Sequence, residues 1–216
     1  MKKFSVLFVC VALFLIGCGG NATGARIASP LTGPAADTAL AADAVSDSPW
    51  NSETVSTATN EEKTSATSNV QSLITSIIAT EEQESKKSKS SSKTINKSIV
   101  GPNGGGATAS GTIEVTTTPL TVYPITTATE ATLTFDGYVG VNFSLHGSTE
   151  YSGSTTITSA GNFETNFTTH GGYSYKDSTG VYSFATQMDV ILTAVNGVYS
   201  GTYTYVINGE TYTGSF

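Results

Sequence analysis

The side chains able to do chemistry are few and widely spaced. The histidines of the β-rich half are His146 and His170, and a metal site would have to combine them with Glu150, Glu164 or Asp177. No close His-x-x-x-His or paired-carboxylate spacing gathers such ligands. "LHGS" and "THGG" set each histidine beside glycine, so both are expected at turns. Glu114, Glu130, Glu150, Glu164 and Glu210 fall at scattered strand positions, and a glycosidase-like pair would need two of them flanking one bond. Serines abound without a Gly-x-Ser-x-Gly elbow, and "GPNGGG" lacks the Gly-Lys-Ser/Thr ending of a phosphate loop. Enzymatic function is therefore the weaker class. No metal or cofactor is implied, and a hydrolase built from dispersed carboxylates stands only as a lesser alternative.

Cys18 has the most specific chemistry. The only other cysteine, Cys10, lies inside the apolar run Val6 to Ile16, behind the positive start Met1-Lys2-Lys3. That run is shorter than the ~20 residues a spanning helix needs, so residues 1–17 read as an export signal. Leu15-Ile16-Gly17-Cys18 resembles the lipobox of bacterial lipoproteins. The resemblance implies cleavage before Cys18 and acylation of its thiol, which leaves no mature partner for a disulfide. It also implies two or three acyl chains; one chain holds marginally and two hold stably, at ~0.8 kcal/mol per buried CH₂. The expected partner is thus a membrane, reached through lipidated Cys18, in the bacterial cell envelope. Gly19 stands where an Asp would resemble an inner-membrane retention signal, and this favours the outer membrane.

The elements that must carry these residues follow from composition. Residues 18–66 are dominated by Ala, Ser, Thr, Asp and Asn without an apolar period, and read as a disordered tether. Trp50 is either incidental there or docks on the domain or the bilayer interface. Within 67–106, Val70, Leu73, Ile74, Ile77 and Ile78 recur on one helical face, predicting a short amphipathic helix over 69–84. Ser68 with Gln71 matches a capping box, and Glu82 with Lys86 an i,i+4 pair. Lys86, Lys87, Lys89, Lys93 and Lys97 then form a solvated linker, or contact anionic lipid or the acidic β-domain.

Residues 107–216 hold all ten tyrosines, and eight acids against Lys176 alone. So acidic a surface offers almost nothing to a phosphate backbone, which excludes nucleic acid as a partner. The pattern turns to period two, punctuated by Gly and Asn-Gly, and predicts an all-β domain: an antiparallel meander forming a sandwich or small barrel. A two-residue turn at Asn196-Gly197 would set Leu192 beside Gly201, Val190 beside Tyr203 and Met188 beside Tyr205; one at Asn208-Gly209 would set Tyr205 beside Tyr212. The same test fails at "LTFDGYVGVNF", where a loop or bulge is needed to bring Phe135 against Val139. Further strands are expected near 109–117, 130–136, 139–146, 149–158, 162–169 and 172–176, with a turn at Ala160-Gly161. In composition this half resembles the β-rich part of small, uncharacterised bacterial lipoproteins, a likeness that implies no activity.

Tyr199, Tyr203, Tyr205 and Tyr212 share one face, either as core with hydroxyls at its margin or as the lining of a ligand cavity. The reading is a noncatalytic envelope lipoprotein whose β-domain binds an unidentified ligand or envelope protein, or serves structurally. Terminal Phe216 and the aromatic alternation resemble the last strand of outer-membrane barrels, so a small pore is the alternative; strands shorter than the ~9–11 residues of a spanning strand count against it.

Overall fold

The computed structural model describes residues 34–88, 91–117, 123–159 and 162–215. The leader with Cys10 and Cys18, Phe216, and the Ala160-Gly161 turn lie outside them. Eight strands form one antiparallel sheet in which each pairs with its neighbours in sequence. They are β1 (Ser92–Val100), β2 (Gly106–Thr117), β3 (Ile125–Val139), β4 (Ser144–Ser159), β5 (Asn162–Lys176), β6 (Val181–Val195), β7 (Val198–Ile207) and β8 (Glu210–Ser215). The expected all-β meander is the architecture, as one continuous sheet that starts before residue 107.

At its C-terminal end the register follows the turn residues. Leu192 stands opposite Gly201, Val190 opposite Tyr203 and Met188 opposite Tyr205, and Tyr205 stands opposite Tyr212. Asn196 (φ 52°), Gly197 (φ 81°), Asn208 (φ 48°) and Gly209 (φ 82°) all take the left-handed conformation of type I′ turns, whose twist matches the paired strands.

"LTFDGYVGVNF" resolves differently from expectation. β3 runs through Asp136-Gly137 to Val139, and the chain reverses at 140–143. The irregularity is a register shift between Phe135 and Tyr138, a bulge within one strand. Val139 therefore meets Ser144 and not Phe135. Backbone bonds Val139 N to Gly104 O (2.9 Å) and Asn103 N to Val139 O (3.2 Å) secure the β1–β2 loop against this bulged end. The strands expected at 162–169 and 172–176 are one strand, because Gly171 and Gly172 keep their pairing to Thr186 and Ala185.

The helix is longer than 69–84. It is preceded by α1 (Pro34–Ser46) and is here α2 (Asn60–Ser88). Its start is set nine residues before Ser68, by Thr59. The Glu62 carboxylate accepts the Thr59 N–H (2.7 Å) and hydroxyl (2.8 Å), and the Thr59 hydroxyl accepts the Glu62 N–H (3.3 Å). This reciprocal capping box holds the Glu62 carboxyl below its ordinary pKa, the Thr59 backbone bond being the largest cause. Gln71, expected to cap, instead donates to Thr169 Oγ1 on β5 at 2.9 Å. Glu82, expected to pair with Lys86, accepts from Thr129 on β3 at 2.8 Å.

Ala66, Val70, Ile74, Ile77 and Ile78 of α2 are buried in one cluster with Ile95, Ile113, Leu133, Phe135, Tyr173 and Phe184. Each large side chain so buried contributes ~1.5–3 kcal/mol, so tertiary packing holds this helix. The polar contacts pin its position along the inner face of the sheet: Tyr182 OH to Glu62 (3.0 Å), Asn69 to Tyr175 (2.8 Å), Gln71 to Thr169, and Glu82 to Thr129. Burial pushes the Tyr173 hydroxyl pKa up to about 12, the mark of an interior closed to water.

Two readings of the N-terminal half are corrected. Residues 34–59 are not tether: α1 lies on β4, β5 and β6, and Trp50 is buried, its Nε1 donating to Ser174 Oγ at 2.6 Å. α1 is built on alanine, a strong helix former that leaves no apolar period to read. Nor is the basic run wholly a linker, since β1 alternates Lys93-Ile95-Lys97-Ile99 on its inner side and buries Ile95. Lys93 bonds Glu81 (2.9 Å) and Glu84 (3.2 Å), and Lys97 reaches Glu81 (3.3 Å). The acids these lysines meet belong to α2, not to the β-rich half. Burial raises the Glu81 pKa, but bonds and charge from Lys93 and Lys97 outweigh it and leave it lowered.

Candidate functional site

Neither histidine is at a turn. His146 lies in β4 opposite Ser174, and His170 in β5 opposite Glu150 and Gln187. Pairing with both neighbours extends the backbone through "THGG", so the adjacent glycines mark close strand packing and not chain reversal. His146 Nδ1 stands 3.8 Å from the exposed Asp136 carboxylate at the bulge.

The register assembles a group that linear spacing does not. On the outward side, one row runs Ser110, Thr132, Glu150, His170, and the adjacent row Thr112, Glu130, Ser152, Thr168. Together they line a shallow depression of about 470 Å³. Glu130 and Glu150 occupy diagonal positions on neighbouring strands, within reach of one ligand. Ser152 Oγ donates to Glu130 Oε1 at 2.6 Å, fixing that carboxylate. The site thus offers two carboxylates, an imidazole and a border of hydroxyls, a set suited to hydrogen-bonding hydroxylated or cationic groups.

The remaining candidates stay apart. Glu114 and Glu164 lie on other outward rows, opposite Ala128 and Thr156. Glu210 accepts from the Tyr212 hydroxyl at 2.8 Å, and Asp177 accepts from Thr179 in the β5–β6 turn. Among the described residues no three His, Cys, Asp or Glu side chains stand close enough to hold a metal ion. A general acid also needs a carboxyl shielded from water, whereas Glu130 and Glu150 are both exposed.

Tyr199, Tyr203, Tyr205 and Tyr212 lie on the inner face, each half-buried. Tyr203 stacks on Tyr205 (5.9 Å between centroids) and Tyr205 on Tyr212 (4.9 Å), while Tyr199 tilts against Phe163 (6.3 Å). Tyr205 and Tyr212 pack directly against the cluster around α2. Cys18 lies outside the described residues. Comparisons with protein-family models, with curated proteins and with solved structures find no match for this chain.

Proposed function

We propose that the chain is an envelope lipoprotein, anchored to the outer membrane by acylated Cys18, whose β-domain is noncatalytic and works by surface contact with a ligand or envelope partner. The observation that carries this reading is the placement of α2. It covers the inner face of the sheet with Val70, Ile74 and Ile78, and the depression between Glu130, Glu150 and His170 on the outward side is a concave surface left for a partner. The anchor rests on the lipobox-like Leu15-Ile16-Gly17-Cys18.

A pore is the second reading, and strand length now favours it. β3 to β6 have 15 or 16 residues, beyond the ~9–11 that a spanning strand takes. Against it, α2 occupies the face that would line a channel. The outward face that would meet lipid is Thr126, Glu130, Thr132 and Thr134 on β3, where a spanning barrel is apolar.

Metabolic labelling with an alkyne analogue of palmitate, followed by carbonate extraction, tests both. Wild type is expected to label and to sediment with membranes, and Cys18→Ser to lose the label and enter the soluble fraction. Retention of the unlabelled variant in carbonate-washed membranes would overturn the anchored-module reading in favour of an integral barrel.

A further inference from the structure

Residues 34–56 lie on β4, β5 and β6 mainly through small side chains and backbone. Among its described side chains, α1 buries Ala41 and Ala44. Trp50 adds the single large one, bonded to Ser174. Ser183 Oγ donates to Ala41 O at 2.7 Å, Lys176 pairs with Glu53, and Ser56 N donates to Val181 O at 2.8 Å. Val55 makes one parallel bridge to Val181 and remains 42 % exposed.

β5 separates this contact from the core. Tyr173 and Tyr175 belong to the cluster around α2, whereas Ala41, Ala44 and Trp50 do not. The alternate residues, Gly172 and Ser174, face α1. A Cβ at Gly172 would stand 2.4 Å from Leu40 O and 2.8 Å from Leu40 Cβ, so the strand admits α1 only because it carries glycine there. Among the described side chains this unit buries two alanines, a serine and one indole, against the large apolar side chains packed around α2, and so opens at lower free energy than the sheet beneath it.

We propose that residues 34–56 are a detachable strap that sets how far the β-domain can stand from the membrane. The reach rests on the anchor at Cys18 proposed above. With the strap docked, Cys18 and Pro34 are 16 Cα-to-Cα steps apart and span at most ~55 Å. With it released, Cys18 and Thr59 are 41 Cα-to-Cα steps apart and span at most ~145 Å. Release also bares the start of β6, whose Val181 carbonyl the strap covers through Ser56.

Trp50 is the chain's one tryptophan, so its emission and iodide quenching report the strap alone. In hydrogen exchange on the full chain, residues 34–56 are expected to exchange at least about tenfold faster than Val70 to Ile78 and β5. Exchange of both at one common rate would overturn the proposal. Ala41→Glu with Ala44→Glu places charge on the strap and leaves the β-domain unaltered. Red-shifted, more quenchable Trp50 emission with unchanged β5 protection is expected; unchanged emission overturns it. Gly172→Val attacks the same contact from the sheet side and should give the same shift.

Reach is read on the lipidated chain in vesicles, with a fluorophore on Val198→Cys, a site 69 % exposed, and an acceptor dye in the bilayer. Energy transfer should fall severalfold in the Ala41→Glu, Ala44→Glu chain, and equal transfer would overturn the role in reach. Failure of the anchor itself would show separately, as absence of palmitate labelling, and would leave the exchange and Trp50 results standing.

Discussion

Asp189 faces outward between Thr168 of β5 and Thr204 of β7, and burial raises its carboxyl above the ordinary pKa. A raised pKa means that the folded state holds the proton more tightly than the unfolded one. Stability is then greatest below the unfolded value and is lost as pH rises through the folded one, so the full penalty is present at neutral pH. Asp189→Asn should raise the melting temperature at pH 7 by an amount worth roughly 0.5 kcal/mol, kept small because the group stays largely solvated. Thermal denaturation at about pH 3 and pH 7 checks the sign, the advantage of the variant growing with pH. A variant no more stable than wild type at pH 7 would sink the account. Other residue-scale features were hidden from sequence for a definable reason. Glu150 meets His170 only because the β4–β5 ladder shifts by one between Ile157 and Ser159. A regular two-residue turn at 160–161 would have set Glu150 opposite Gly171 and sent His170 to the other face. Nothing in "TITSAGN" announces that bulge.

Among elements, the two C-terminal hairpins were legible because each Asn-Gly pair dictates a turn and each turn aligns the same apolar face. The helix was legible in its stripe but not in its start, since Thr59-x-x-Glu62 and Ser68-x-x-Gln71 match the same capping pattern. Which one caps depends on what Gln71 meets across the core. The β1 lysines read as linker because charge masked a period-two strand whose heads are neutralised by Glu81 and Glu84. The Asn-Gly turns are also unequal in a testable way. Asn196 and Asn208 both hold left-handed backbone. Only Asn208 also accepts a part-buried bond, its Oδ1 taking the Ala185 N–H at 2.9 Å while its own N–H reaches Ala185 O at 3.0 Å. Asn208→Ala should therefore cost about 1 kcal/mol more than Asn196→Ala, the net worth of one hydrogen bond whose loss orphans a part-buried donor. Urea denaturation of both variants measures the difference, and equal costs would show that Asn208 serves the turn alone.

For the molecule as a whole, the all-β class could be read from composition and the helix's need of a packing surface from its apolar stripe, but not that one helix would serve most of the strands. In the described sheet β1 and β8 each pair on one side only, so the sheet does not close on itself. What closure would supply, cover for the inner face, comes from α2, which gathers residues from β1 to β7 into one cluster. Ile74 is fully buried in that cluster. Ile74→Ala should lower stability by ~2–5 kcal/mol, as a cavity beneath a helix that cannot collapse onto the sheet. Because the helix is shared by most strands, the loss should be global. Far-ultraviolet circular dichroism and tyrosine fluorescence should fall together in one transition, at lower denaturant and with unchanged slope. Ile191→Ala is the control: it is also a large apolar side chain on a strand, but 54 % exposed on the outward face. Its cost should stay within ~0.5 kcal/mol. Comparable midpoint shifts for the two variants, or separate transitions for helix and sheet, would mean that the sheet stands without α2.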